Sequence, residues 1–281
     1  MRPVNRPTFV VQDTYALCIG GVRNQHLRAR LRSIASEVVN AAESYAERAA
    51  AMELHLIPQE KDVAGVVTKD EMVGVYDKRM ARKGSRGRSV YDGLKGLPDY
   101  GVCPFCDHCP VSTLDHILPK SLYPALVVTP DNLVGACREC NSSKSANAPT
   151  SGGDVPLHPY FDDVSSDRWL KAIVVTGEVP SVMFFVGLVP KWTDEMNARV
   201  RRQFETLQLG RLYSSQAARE ISGRRRTLCR IHSATGWKGV RRELKQRAIE
   251  WGQHNINGWQ AVMFRALSES KWYCKKGFRK T

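Results

Sequence analysis

The chain has 281 residues, 42% of them hydrophobic, and its 42 Lys/Arg against 28 Asp/Glu give a formal net charge of +14. That length and apolar content exclude a disordered tail and provide core material for one large or two modest domains. The charge excess is more than solubility asks for and points to a polyanionic partner, while no stretch approaches the roughly 20 apolar residues of a membrane-spanning helix.

Residues 1–20 read as an irregular arm. The opening Met1-Arg2-Pro3-Val4-Asn5-Arg6-Pro7 has no apolar signal core, so the protein is expected in the cytoplasm, with no membrane insertion of its own. Leu27, Leu31, Ile34, Val38, Ala42 and Tyr45 then recur at three- and four-residue steps, the pattern of an amphipathic helix. Thr68 stands three residues before Glu71 and marks the start of a second helix through Met72, Val75 and Tyr76. A basic loop follows, with six positive charges and two glycines between Lys78 and Arg88, a composition suited to tracking phosphates or to a solvated connector.

Residues 145–153 are small and polar and read as a linker. Beyond it, residues 172–175 and 182–186 are β-branched or aromatic runs separated by a Thr-Gly-Glu-Val-Pro turn, which predicts a small hairpin. Met196, Val200, Phe204 and Leu207 step along one helical face, and further helices are expected over residues 212–228, 238–252 and 258–274. Residues 199–281 hold 20 Lys/Arg but 5 Asp/Glu, so the first 198 residues are close to neutral. The basic segment reads either as solvated helix faces or as a phosphate-tracking surface. Trp237, Trp251, Trp259 and Trp272 within it serve to pack helices or to stack on bases.

Eight cysteines in a reducing compartment are expected to act as metal ligands or packed thiols. Cys18, Cys229 and Cys274 stand alone, as small buried hydrophobes do. Cys103/Cys106 and Cys137/Cys140 form two Cys-x-x-Cys pairs separated by 30 residues, the spacing of paired zinc knuckles. Cys109 and His108 are further potential ligands, but two pairs already complete a closed tetrahedral site.

Between and beside the pairs lie Leu114-Asp115-His116-Ile117-Leu118-Pro119, then Asp131-Asn132-Leu133-Val134, then Cys137-Arg138-Glu139-Cys140-Asn141-Ser142-Ser143-Lys144. Over about residues 103–145 the chain closely resembles the HNH endonuclease family in its zinc-stapled branch. The resemblance implies a small ββα-metal core embedded in a mainly helical α+β protein. Its divisions would be an N-terminal helical segment with the basic loop over 1–100, the nuclease core over 101–150, and a hairpin with a basic helical domain over 151–281.

It also implies that His116 is the general base, that Asp115 and Asn141 hold a catalytic Mg²⁺ or Mn²⁺, that Asn132 braces the loop that orients the histidine, and that Cys103, Cys106, Cys137 and Cys140 hold a structural Zn²⁺. The residue types suit that chemistry. A histidine with an ordinary pKa of about 6.5 can activate water, and a hard divalent ion offsets charge on a phosphate. Taken singly, Asp115 as a turn cap, His116 as a core histidine and the two asparagines as turn stabilisers are equally natural readings.

The regions outside the motif, including Leu122-Tyr123-Pro124 and His158-Pro159-Tyr160-Phe161-Asp162, resemble stand-alone HNH proteins of bacterial anti-phage systems of the Septu and type II Zorya kinds, which work with partner subunits. The expected activity is hydrolysis of DNA phosphodiester bonds, as nicks with little sequence specificity. Two other readings stay open: the same centre directed at RNA such as tRNA, and an inert nucleic-acid-binding scaffold whose zinc is architectural. Lys120, Arg138 and Lys144 are candidate phosphate contacts.

Overall fold

The computed structural model describes residues 1–144 and 147–280. It is a mixed, mainly helical α+β protein in which each described strand belongs to a short antiparallel pair. The chain divides into two compact units, Arg2–Asp163 and Val164–Thr281, with Met1 belonging to the latter.

In the first unit, residues 1–10 are irregular, but the expected arm ends early, because Val11–Ile19 is a helix, α1. Its signal is a short stripe in which Tyr15, Cys18 and Ile19 are buried, brief enough to escape a reading that starts from longer periodicity. The single helix expected through Leu27 and Tyr45 is two, α2 (Gln25–Ser33) and α3 (Ala35–Ala50). The break falls at Ile34, whose φ of −101° and ψ of 13° leave the helical range while its side chain stays buried. The Asn24 side chain accepts from the Leu27 N–H and fixes the start of α2.

A two-residue pair, β1 (Asp62–Val63) with β2 (Val67–Thr68), leads into α4 (Lys69–Val75). Thr68 and Glu71 form the expected capping box there. The backbone then widens into a π-helical turn over Tyr76–Ala81 before α5 (Arg88–Lys95). The basic connector is therefore largely structured. Gly87 lies so close to α1 that a Cβ on it would meet Cys18 Sγ at 2.6 Å and Arg79 O at 2.8 Å.

Next come β3 (Thr113–His116), β4 (Leu133–Ala136) and α6 (Arg138–Ser143). β3 and β4 are antiparallel, with Asp115 opposite Val134 and His116 opposite Leu133, and α6 packs against β3. Four-residue strands cannot bury a core of their own. Leu114, Val127 and Leu133 instead join Leu31, Val38, Met72, Met80 and Leu94 in one apolar cluster, so residues 1–100 and 101–150 share a single core. The expected linker begins on residues outside the described ones and from residue 147 is irregular up to a short turn over Gly152–Asp154.

The second unit contains the expected hairpin, β5 (Leu170–Val175) with β6 (Ser181–Val186), paired from Leu170–Val186 to Val175–Ser181. α7 (Asp194–Thr206) follows, started by Thr193, whose hydroxyl accepts from the Met196 N–H. The helices expected over 212–228 and 238–252 are both present, as the two arms of α8 (Leu209–His254), which meet at a non-helical break at Gly236. Gly236 has φ 68° and ψ −168°, a conformation open in practice to glycine alone. α9 (Trp259–Glu269) is buried around most of its circumference and packs on α8 and β5, and Ser270 separates it from α10 (Lys271–Lys275). Trp259 belongs to this core, whereas Trp251 is exposed. Among the described residues no helix is long and apolar enough to cross a membrane.

Candidate functional site

The four knuckle cysteines converge. Cys103, Cys106, Cys137 and Cys140 are all buried, and their sulfurs lie within 4.8 Å of one another, with Cys106 Sγ 3.9 Å from Cys137 Sγ. A tetrahedral zinc with Zn–S bonds of about 2.3 Å separates its sulfurs by about 3.8 Å, so the cluster fits a structural metal ion such as zinc.

The backbone supports this grouping on both sides. The Cys109 N–H donates to Cys106 Sγ at 3.4 Å, and the Cys140 N–H donates to Cys137 Sγ at 3.3 Å, the latter also capping α6. Asp107 adopts a left-handed φ of 49°, which tightens the first turn. Cys109 is half-buried, outside the buried four, and shares a second, more exposed group with Cys137 and Glu139.

One strand away, Asp115 and His116 end β3. Alternation turns their side chains to opposite faces, so a shared environment must come from what surrounds the strand end. Asp115 is buried at 6% exposure, and burial raises its pKa against the opposing pull of Lys144. Lys144 Nζ lies 3.2 Å from Asp115 Oδ2, 2.8 Å from the His116 carbonyl and 2.9 Å from the Ile117 carbonyl. Those three oxygens form a cradle whose chemistry suits a hard cation. The lysine ammonium sits in it, directed inward rather than toward a substrate backbone.

His116 is half-buried. Its Nε2 lies 2.9 Å from the Val127 carbonyl. A carbonyl only accepts, so Nε2 carries the proton and Nδ1 keeps its lone pair. The ring meets Tyr76 edge-on at 4.5 Å between centroids. Burial pushes its pKa down to about 4, and Lys120 and Lys144 push the same way, so the imidazole is neutral at pH 7.

Asn132 closes the short turn Pro130–Asn132 and is fully buried. Its side-chain oxygen accepts from the Leu118 N–H at 2.8 Å, while its amide donates to the carbonyls of Leu118 at 3.1 Å and Leu126 at 3.2 Å. It thereby joins the strand exit after His116 to the loop that carries the Val127 carbonyl. Asn141 lies on α6, one turn before Lys144 and half-buried, and its amide makes no hydrogen bond to Asp115 or His116. Of the expected residues, then, the structure groups the four cysteines and places Asp115, His116 and Asn132 around one strand end, with Asn141 on the packed helix beside it.

Three neighbours were not legible as site residues. Val127 acts through its carbonyl, which every residue type offers. Tyr76, which meets the His116 ring, opens the π-helical turn. His158 is buried, accepts from the Tyr160 N–H on Nδ1 at 3.2 Å, and donates from Nε2 to the Asp131 carbonyl at 3.0 Å, bracing the turn of Asn132. Around this corner Lys120 is engaged by Asp77 and Arg88 by Asp92, whereas Lys78, Arg82, Lys83 and Arg86 of the basic connector and Arg138 are exposed.

The chain is similar to protein ea31 of Escherichia phage lambda, 27% identical over 224 residues that cover 74% of this chain and 75% of that protein. No family model matches the chain. No solved structure matches it.

Proposed function

We propose that this protein is a metal-dependent HNH endonuclease that hydrolyses DNA phosphodiester bonds, with β3, β4 and α6 as its ββα core and the four-cysteine cluster as its structural zinc site. The observation that carries this reading is the pinned imidazole: His116 presents an unprotonated Nδ1 because the Val127 carbonyl holds the proton on Nε2. Around it stand a buried carboxylate, an oxygen cradle and a rim of exposed cations.

In this reading His116 takes a proton from the attacking water at Nδ1. A hard divalent ion, Mg²⁺ or Mn²⁺, held by Asp115 and Asn141 would offset the charge that builds on the phosphate and leaving oxygen. Asn132 and His158 keep the Val127 loop in register, so that the imidazole holds one tautomer and one direction. The exposed cations of the 78–86 turn, beside Tyr76 and hence beside His116, draw a phosphate backbone toward the corner. A single centre of this kind cuts one strand. The setting we propose is anti-phage defence, alongside partner subunits.

One observation favours the scaffold reading instead: the Lys144 ammonium already fills the cradle beside Asp115, and a catalytically inert protein would keep it there. Incubation of supercoiled plasmid with Mg²⁺ or Mn²⁺ separates the two. Conversion to the nicked form by the parent, lost in His116→Ala with DNA retention unchanged, is the expected result. Equal behaviour of parent and variant rejects the catalytic assignment. RNA cleaved while plasmid stays intact moves the substrate to RNA.

A further inference from the structure

The second unit holds a cationic feature that the His116 corner does not use. An open cleft of about 490 Å³ is lined by α8, α9 and Arg168 ahead of β5. That volume falls in the range of about 300–1,000 Å³ occupied by small-ligand sites. Arg241 and Lys245 reach it from successive turns of α8, and Arg265 reaches it from α9, so four cations with Arg168 face one carboxylate, Glu269. Ile249 and Ile256 supply an apolar wall.

The backbone that carries Arg168 is fixed, and Arg168, Arg241 and Lys245 are exposed. Asn257 is buried, accepts from the Leu170 N–H at 3.2 Å and donates to the Asp167 carbonyl at 2.7 Å, which fixes the backbone on both sides of Arg168. Elsewhere on α8, Arg224 pairs with Glu220 and Arg247 with Glu243 one turn away. At the cleft no such partner stands within ion-pair distance of any of the four among the described residues. Arg265 is partly buried, and its guanidinium makes a long 3.5 Å contact to the Ile256 carbonyl. Burial and then the charge of Arg168 depress its pKa, the mark of a positive site short of counter-charge.

We propose that this cleft is a phosphate-binding site, in which Arg168, Arg241, Lys245 and Arg265 hold one phosphate ester and the isoleucine wall accepts the attached sugar or base. Guanidinium forks suit phosphate oxygens in geometry as well as in charge. A nucleic-acid strand and a free nucleotide offer the same group. The strand form rests on the nucleic-acid reading above, but the cleft does not depend on His116, so its test uses binding alone, with no divalent ion present.

The intact protein is titrated at low salt with adenosine 5′-monophosphate, with adenosine and with an octathymidylate strand. The first and third are expected to bind and adenosine not to. Replacing Arg168→Gln together with Arg265→Gln is expected to weaken phosphate binding at least about tenfold, whereas Arg219→Gln with Arg226→Gln, the same charge change on the first arm of α8, costs less than about twofold. Binding of the strand alone with this split identifies a strand phosphate as the ligand, and binding of the monophosphate with it admits a free nucleotide. Equal losses in the two double variants, or no binding of either phosphate probe, overturns the site.

Thermal unfolding guards against misfolding. Relief of like-charge crowding should leave the midpoint of Arg168→Gln/Arg265→Gln no lower than the parent's, and the same ligand concentration should raise the parent's midpoint more than the variant's.

Discussion

Asn132 concentrates three backbone hydrogen bonds on one side chain with no exposure to water. Asn132→Ala strands three polar groups and is expected to cost about 2–4 kcal/mol, read from the urea midpoint. Asn132→Asp, although nearly the same shape, turns a carboxylate oxygen toward the carbonyls of Leu118 and Leu126, so it should destabilise at least as much. At this scale the sequence carried a good deal. The Cys-x-x-Cys spacing is a covalent constraint over a few residues, and it placed all four sulfurs together. What lay beyond reach was the direction of long side chains: Lys144 looks like any surface lysine in sequence, and only the packing of α6 on β3 turns its ammonium inward.

At the scale of elements, legibility followed local chemistry. The Thr68/Glu71 capping box needs four consecutive residues and formed as expected. Arg30 adds to it from α2, and its hydrogen bond is the chief reason that the Glu71 pKa lies below its ordinary value. A carboxylate with a lowered folded-state pKa stabilises fully above its unfolded pKa, and that contribution fades as pH falls through the folded value. Glu71→Ala is therefore expected to cost about 1 kcal/mol at neutral pH, with the stabilities of parent and variant converging in acid. Urea titrations at neutral and acid pH measure both. The break at Ile34 was hidden for the opposite reason. Periodicity runs unbroken across it, so tertiary packing decided it, whereas the break of α8 at Gly236 falls between the two helices expected there.

At the scale of the molecule, two units of unlike make-up are joined in one chain. The first shares one core among helices and short strands, and four of its buried side chains are cysteines that can hold a metal ion. The second is helical apart from its hairpin and carries most of the net charge. A strong chelator is accordingly expected to lower the thermal transition of the Arg2–Asp163 unit and leave that of the C-terminal unit in place, with one zinc per chain recovered by elemental analysis. Calorimetry with and without chelator reads this directly, and a single transition that ignores the chelator would remove the metal from the account.

α6 shows what that dependence means locally. Its six residues rise about 9 Å, far short of the length at which a helix persists unaided. Its first turn is anchored by two sulfurs of the cluster, and just past its last turn stands the lysine that grips Asp115. A peroxide that oxidises Cys137 or Cys140 would pull out the anchor, fray the rod and slacken the far corner together, so redox damage at one end would be felt as a loosened Lys144–Asp115 grip at the other.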